Sequence, residues 1–214
     1  QTLGDRLADP RPVYVMAGFY GHDGNGQVKT FSRGGSDISG AIAARAAGAI
    51  LYENWTDTSG ILMADPRIVD DPKTIEEISF REIREMSYMG ASVFHDEAIL
   101  PVREANIPIC IKNTNRPEDT GTLITSCLSE KTVSSTEIAG IAGRKGFSMI
   151  CLEKTLMNKE VGFAHRLLGI FSEQGVSFEQ CPSSIDAMSV IIDDAALQGL
   201  DEVILDEIGR QLVP

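Results

Sequence analysis

Short apolar runs alternate with helix-period segments through the first half of the chain, and this rhythm restricts the fold more than any other feature. Val13 to Ala17 reads as a buried strand, Gly18 to Gly26 as a glycine-rich loop, and Gln27 to Phe31 as a second strand. Ile38 to Ala47 is alanine-rich with a helical period, Gly48 stops it, and Ala49 to Tyr52 is strand-like. A long loop follows from Asp57 to Pro72, broken by Gly60 and Pro66; loops of that length usually carry function. Ser79-Phe80-Arg81-Glu82 has capping-box spacing and opens a helix that Gly90 ends. A helix over Asp96 to Ala105, a buried-type strand over Ile107 to Lys112 and a polar loop over Asn113 to Gly121 complete the series. Strands alternating with helices predict an α/β domain with a mainly parallel sheet, covered on both faces.

After about Cys127 the rhythm changes. Phe147 to Glu153 reads as a strand. Lys159 to Gln174 reads as an amphipathic helix, with Val161, Ala164, Leu168 and Phe171 on one stripe and Gly175 as its stop. Val176 to Cys181 and Ala187 to Ile192 are strand-like, with a turn over Pro182 to Asp186 between them. Leu200, Val203, Ile204, Ile208 and Leu212 mark a second helix. The order is β-α-β-β-α, one strand short of a ferredoxin-like βαββαβ unit. Two domains are expected, 1–127 and 128–214. With Gln1 at the start and Pro214 just past a helix, the chain is read as a fragment.

Composition excludes several function classes. Nineteen Lys+Arg against thirty-one Asp+Glu give a net charge of -12. Such a chain repels nucleic acid and anionic membranes, so neither is an expected partner. No apolar run approaches the roughly 20 residues of a membrane span. Cys110, Cys127, Cys151 and Cys181 form no Cys-x-x-Cys pair, which points to a reducing, cytoplasmic setting and away from a zinc site. His22, His95 and His165 share no metal-ligand spacing, and no protein-held metal is expected.

Two motifs carry chemistry. Ser32-Arg33-Gly34-Gly35-Ser36-Asp37 precedes a helix. Tandem glycines admit close backbone approach, the helix start offers N–H groups to an anion, and Arg33 supplies a fork for a carboxylate or phosphate. The same run also reads as a plain helix entry capped by Ser36 or Asp37. The second motif is Trp55-Thr56-Asp57, followed by Ala64-Asp65-Pro66-Arg67. A polar pair directly after an apolar strand lies where open α/β sheets bind ligands, and Arg67 could reach a phosphate. Asx-turn chemistry with a solvated Arg is the alternative.

Together these runs resemble aspartate kinase, of the amino-acid kinase superfamily. Gly18-Phe19-Tyr20-Gly21, Arg33 to Asp37, Trp55-Thr56-Asp57, Ala64 to Val69, Gly90-Ala91, His95, Ile107-Pro108 and Gly121-Thr122-Leu123 fall in family order, over roughly Pro12 to Thr125. The resemblance implies phosphoryl transfer from ATP, with Mg2+ held through ATP, to L-aspartate. That is the first step toward lysine, threonine and methionine. It assigns Arg33 to the aspartate α-carboxylate, with Gly34, Gly35 and Ser36 shaping that pocket. Asp37 would orient a catalytic lysine, Thr56 and Asp57 would contact the nucleotide, and Asp65 and Arg67 would lie at its phosphates. Ser92 stands where many relatives have a lysine on ATP, and Leu62 where they often have tyrosine. The family's Lys-Phe-Gly-Gly phosphate-cradling element does not occur in this sequence.

The second half resembles an ACT domain, the amino-acid-sensing module of these kinases. By position, Met157, Glu160, Phe163, Ser177, Glu179 and Ser184 would line a lysine or threonine site between paired ACT domains of a homodimer. Plain packing for Met157 and Phe163 is the other reading. Thr132 to Ile141 fits a leading strand. A non-catalytic amino-acid-binding or dimerisation fragment is the alternative function.

Overall fold

The computed structural model describes residues 2–9, 11–31, 34–90, 96–135 and 138–212, with backbone alone for Asp96 and Glu97. In chain order the elements are α1 (Leu3–Leu7), β1 (Tyr20–His22), β2 (Val28–Thr30), α2 (Gly35–Ala47), β3 (Tyr52–Thr56), β4 (Glu77–Ser79), α3 (Phe80–Tyr88), α4 (Asp96–Glu104), β5 (Ile109–Asn113), β6 (Thr122–Thr125), α5 (Glu130–Ser135), β7 (Phe147–Glu153), α6 (Phe163–Glu173), β8 (Ala187–Asp193), α7 (Asp194–Leu197) and α8 (Asp201–Leu212). They form two compact units, Gln1–Arg144 and Lys145–Pro214.

In the first unit, the sheet order is β3-β5-β6-β4. β3 runs parallel to β5, and β4 parallel to β6; β5 and β6 are antiparallel. Parallel pairing therefore dominates, in a mixed sheet. Its core holds Ile78, Ile109, Ile111 and Ile124, with Ile38 and Ala41 from α2, Ile83 from α3, and Ile99 and Val102 from α4. β1 and β2 make a separate exposed hairpin.

Local chemistry explains most element ends. The Ser79 hydroxyl accepts the Glu82 N–H, and the Glu82 carboxylate accepts the Ser79 N–H in return, the reciprocal box that starts α3. Gly48 takes a left-handed conformation and returns its N–H to the last turn of α2. Ala49 also bonds back to Ala44 O, at 2.9 Å. That helix-end bond keeps Ala49 out of the sheet, and the strand expected over Ala49 to Tyr52 begins at Tyr52 instead.

Two other segments depart from their local pattern. Val13 to Ala17 forms no strand; Val13 and Val15 are 92% and 95% exposed. A strand needs a ladder partner, which an apolar run cannot supply for itself. The leading strand expected over Thr132 to Ile141 begins instead inside helix α5. The Glu77 carboxylate accepts the Ser129 N–H and hydroxyl and the Thr132 hydroxyl at the start of α5, so a side chain distant in sequence caps this helix. Those hydrogen bonds hold the Glu77 carboxyl below its ordinary pKa. Helix α5 and the stretch around Ala139 and Ala142 thus belong to the first unit.

The second unit runs β7-α6-β8-α7-α8, so the first of the two adjacent strands expected after α6 does not form as a strand. β7 and β8 are antiparallel in full register from Phe147↔Asp193 to Glu153↔Ala187. The segment expected as a strand over Val176 to Cys181 makes one isolated bridge to β8, Gln180↔Ile191, and a second, Ser183↔Met188, falls in the turn beyond it. The buried stripe of α6 is Phe163, Leu167, Ile170 and Phe171, not the Val161-based stripe. Gly162 is the N-cap, so Val161 lies before the helix and is 93% exposed.

Ser79→Ala removes half of the capping box and is expected to cost about 1 kcal/mol of stability, read by urea unfolding. An unchanged midpoint would show that the box adds nothing.

Candidate functional site

The entry to α2 forms the first part. Gly34 caps it in a left-handed conformation, φ 62°, with no side-chain cap. Gly34 therefore offers the first-turn N–H groups of α2 no side-chain capping oxygen. Gly35 is buried, and a Cβ there would lie 2.8 Å from Phe19 Cδ2 and 2.9 Å from Phe31 Cβ. The glycine is needed because two aromatic side chains close on the turn. Phe19 itself holds φ 76°, fixed by its N–H on Ser39 Oγ at 3.1 Å. Ser36 is exposed and Asp37 half-buried. Asn54 donates to Asp37 Oδ1 at 2.9 Å, and the Tyr52 hydroxyl donates to Asp37 O at 3.2 Å. Tyr52 and Asn54 lie two apart, on one face of β3. Sequence reading missed both, since they look like ordinary strand polars. Arg33 and Ser92 lie outside the described residues.

The second part grows from the C-terminal end of β3. The Thr56 hydroxyl donates to Asp57 Oδ1 at 3.2 Å, and Thr56 O accepts the Thr114 N–H at 2.8 Å. Asn113, opposite Thr56 on β5, is buried and donates to Ser59 Oγ at 2.8 Å. The loop beyond is clamped at its base. Met63 N–H bonds Lys73 O and Ile75 N–H bonds Ile61 O, both at 2.8 Å. The buried Thr122 hydroxyl accepts the Ile61 N–H at 2.8 Å and donates to Ile75 O at 2.6 Å.

The clamped loop walls a cavity of about 260 Å³, with Gly60, Leu62, Asp65 and Arg67 on one side and Met86, Gly90 and Ile141 to Gly143 around the rest. Asp65 and Arg67 form a two-pronged pair, with Arg67 Nε on Oδ1 at 3.0 Å and Nη2 on Oδ2 at 2.6 Å. The Arg67 side chain is 85% exposed. A guanidinium has five donors, so Asp65 leaves capacity for an anion. Among the described residues no cluster of three His, Cys, Asp or Glu side chains is placed to hold a metal ion.

The sequence model of the amino acid kinase family matches residues 1–113, over half of the chain. The chain belongs to the amino acid kinase family. Aspartokinase 3 of Bacillus subtilis (strain 168) is 43% identical over 197 residues, covering 92% of this chain and 43% of that protein. The crystal structure of Clostridium acetobutylicum aspartate kinase matches with a TM-score of 0.78 at 54% identity, over 92% of this chain and 45% of that one. E. coli aspartokinase III, crystallised with lysine and aspartate and again with aspartate and ADP, matches at TM-scores of 0.66 and 0.67. Both comparisons give 29% identity over 90% of this chain and 43% of that one. This amino acid kinase family chain therefore spans less than half the length of these relatives.

In the second unit, Met157 and Phe163 are core residues, 6% and 3% exposed. Glu160 pairs with Lys154 at 2.8 Å and also with Arg166. The Lys154 hydrogen bond is the main reason its carboxyl sits below the ordinary range. Lys154 also lies 5.6 Å from the Phe163 ring centroid. Ser177 and Ser184 are exposed. Glu179 is half-buried and bonds Ile191 O through its N–H at 2.8 Å. Of the six residues named from sequence, Met157 and Phe163 thus lie in the core, Glu160 and Glu179 are half-buried, and Ser177 and Ser184 are exposed.

The Arg67 hydrogen bonds lower the Asp65 pKa from 3.8 to about 2. Because the folded value is the lower one, the pair is intact above about pH 4 and lost as pH falls through about 2. NMR titration of the Asp65 carboxyl is expected to show that midpoint and, in Arg67→Ala, a return toward 3.8. A midpoint indifferent to Arg67→Ala would remove Arg67 as the cause.

Proposed function

We propose that this chain works in an aspartate kinase, moving the γ-phosphoryl of ATP to the side-chain carboxylate of L-aspartate to give 4-phospho-L-aspartate. The observation that carries the reading is the cavity walled by the Thr58 to Arg67 loop, with the Asp65–Arg67 pair at its edge. The E. coli relative bound to aspartate and ADP supports it.

Each residue has a task in this reading. Arg33 pairs with the aspartate α-carboxylate. Gly34, Gly35 and Ser36 bring the α2 entry close to it. Asp37, held by Asn54 and Tyr52, orients a catalytic lysine. Thr56 and Asp57 meet the nucleotide, and Arg67, aimed by Asp65, meets its phosphates. Leu62 supplies an apolar wall where a tyrosine is common in the family, and Ser92 replaces a lysine contact to ATP. The acceptor carboxylate, with a pKa of about 4, is already ionised at pH 7, so no general base is required. Rate enhancement then comes from alignment of the two substrates and neutralisation of phosphoryl charge. Magnesium travels on the ATP phosphates, a normal arrangement for an ion that keeps much of its water.

The second unit acts as an ACT-type sensor for lysine or threonine in a cytoplasmic homodimer. Glu160, Ser177, Glu179 and Ser184 supply polar contacts, while Met157 and Phe163 act through the packing beneath them. The lysine complex of the E. coli relative supports this part.

The test is ATP- and aspartate-dependent acyl phosphate, trapped as hydroxamate, in a polypeptide of the relatives' full length that carries this sequence. Activity is expected, and Arg33→Ala is expected to raise the aspartate KM about 10- to 100-fold through loss of a charged hydrogen bond. Unchanged aspartate kinetics would sink the Arg33 role, and absence of product would sink the kinase reading. Glu179→Ala is expected to raise the effector concentration for half-inhibition about tenfold. An unmoved inhibition curve would refute its place in the sensor.

A further inference from the structure

We propose that residues 139–143 form a positioning wall of the nucleotide pocket, so that an occupant of the pocket and the docked place of this segment stabilise each other. The inference rests on the nucleotide reading given above for that cavity.

Ile141, Ala142 and Gly143 line the same cavity as Leu62, Asp65 and Arg67. They belong to the stretch that enters the second unit at Lys145, two residues past Gly143. The segment is built into its place. The Ile141 N–H bonds Met63 O at 2.7 Å, and Ala139 and Ala142 pack against the core of the first unit. Gly140 is closely packed: a Cβ there would lie 2.6 Å from Met86 Cε, whose thioether end would have to swing aside, and 3.1 Å from Met63 O. Across the cavity a Cβ on Gly90 would sit 3.4 Å from Gly143 O. Upstream, Glu77 and the Lys131–Glu76 pair tie α5 to the sheet.

The contacts couple the segment to the pocket through shared atoms. Met86, which Gly140 touches, lines the cavity from α3. Met63, whose carbonyl holds Ile141, directly precedes Ala64 to Arg67 on the opposite wall. An apolar slot with an Asp–Arg pair at its edge suits a planar base with charged phosphates beyond it. Withdrawing 141–143 would open the slot to water on one side and release the Met63 carbonyl. A ligand that gains contact with the docked segment must favour docking, and by reciprocity whatever displaces the segment must weaken the ligand.

Hydrogen exchange with and without ADP tests this in a polypeptide of the relatives' full length that carries the sequence. Slower exchange is expected at 139–143, with Ile141 foremost, together with 62–67. Protection at 62–67 without protection at 139–143 would overturn the inference and leave the nucleotide reading standing. Protection at neither would sink the nucleotide reading and the inference with it. Gly140→Val, which forces Met86 and the segment apart, is expected to weaken ADP binding about tenfold with little change in the aspartate KM. A folded variant with unchanged ADP affinity would overturn the inference; if the variant fails to fold, exchange in the unsubstituted protein decides.

Discussion

The parallel ladder between β3 and β5 carries both halves of the candidate site. One face of β3 presents Tyr52 and Asn54 to Asp37 at the entry of α2. Its C-terminal end releases Thr56 and Asp57 into the loop that walls the cavity. The spacing between the α2 entry and the loop is therefore set by a rigid strand, not by a flexible connection. β5 completes the support, since Asn113 sits opposite Thr56 and holds Ser59. Parallel strands bring their C-terminal ends together, which is why open α/β sheets bind ligands along that edge.

Carboxylates do unusual structural duty in this acidic chain. Asp65 braces Arg67, Glu77 caps α5 from another element, and Glu160 gathers Lys154 and Arg166. All three have pKa values below the ordinary range, and hydrogen bonds are the first cause in each case. Their energetic worth is modest because each is half-buried and still reached by water. Their effect is geometric: each fixes a loop or helix start that the core does not reach. An overall charge of -12 therefore does not fix the local field, because oriented N–H groups and guanidinium forks set it at each position.

The second unit keeps some of its candidate residues in the core and leaves others at the surface. Met157 and Phe163 sit in the core, while Ser177 and Ser184 stay exposed. Lys154 bridges the two, over the Phe163 ring and onto Glu160. In the first unit, the cavity and the segment that leads out of that unit are linked in the same economical way, through Met63 and Met86.

The sequence alone determined what short-range chemistry specifies. The Ser79–Glu82 box and the stops at Gly48 and Gly175 each depend on residues within a few positions of one another, whereas the cap expected at Ser36 or Asp37 falls on Gly34. The family was legible for the same reason, because its motifs are contiguous. Tertiary structure decided everything that needs a distant partner. Val13 to Ala17 looks like a strand but has no ladder, and Glu77 turns an expected strand into a helix start from some fifty residues away. The buried stripe of α6 depended on where Gly162 starts the helix, and the pairing of β5 with β6 on a long-range register. Asn54, Asn113 and Ile141 join the site through contacts that no local window contains. Side-chain period and capping are local free-energy terms, whereas strand pairing, trans-capping and cavity walls exist only once the chain has folded.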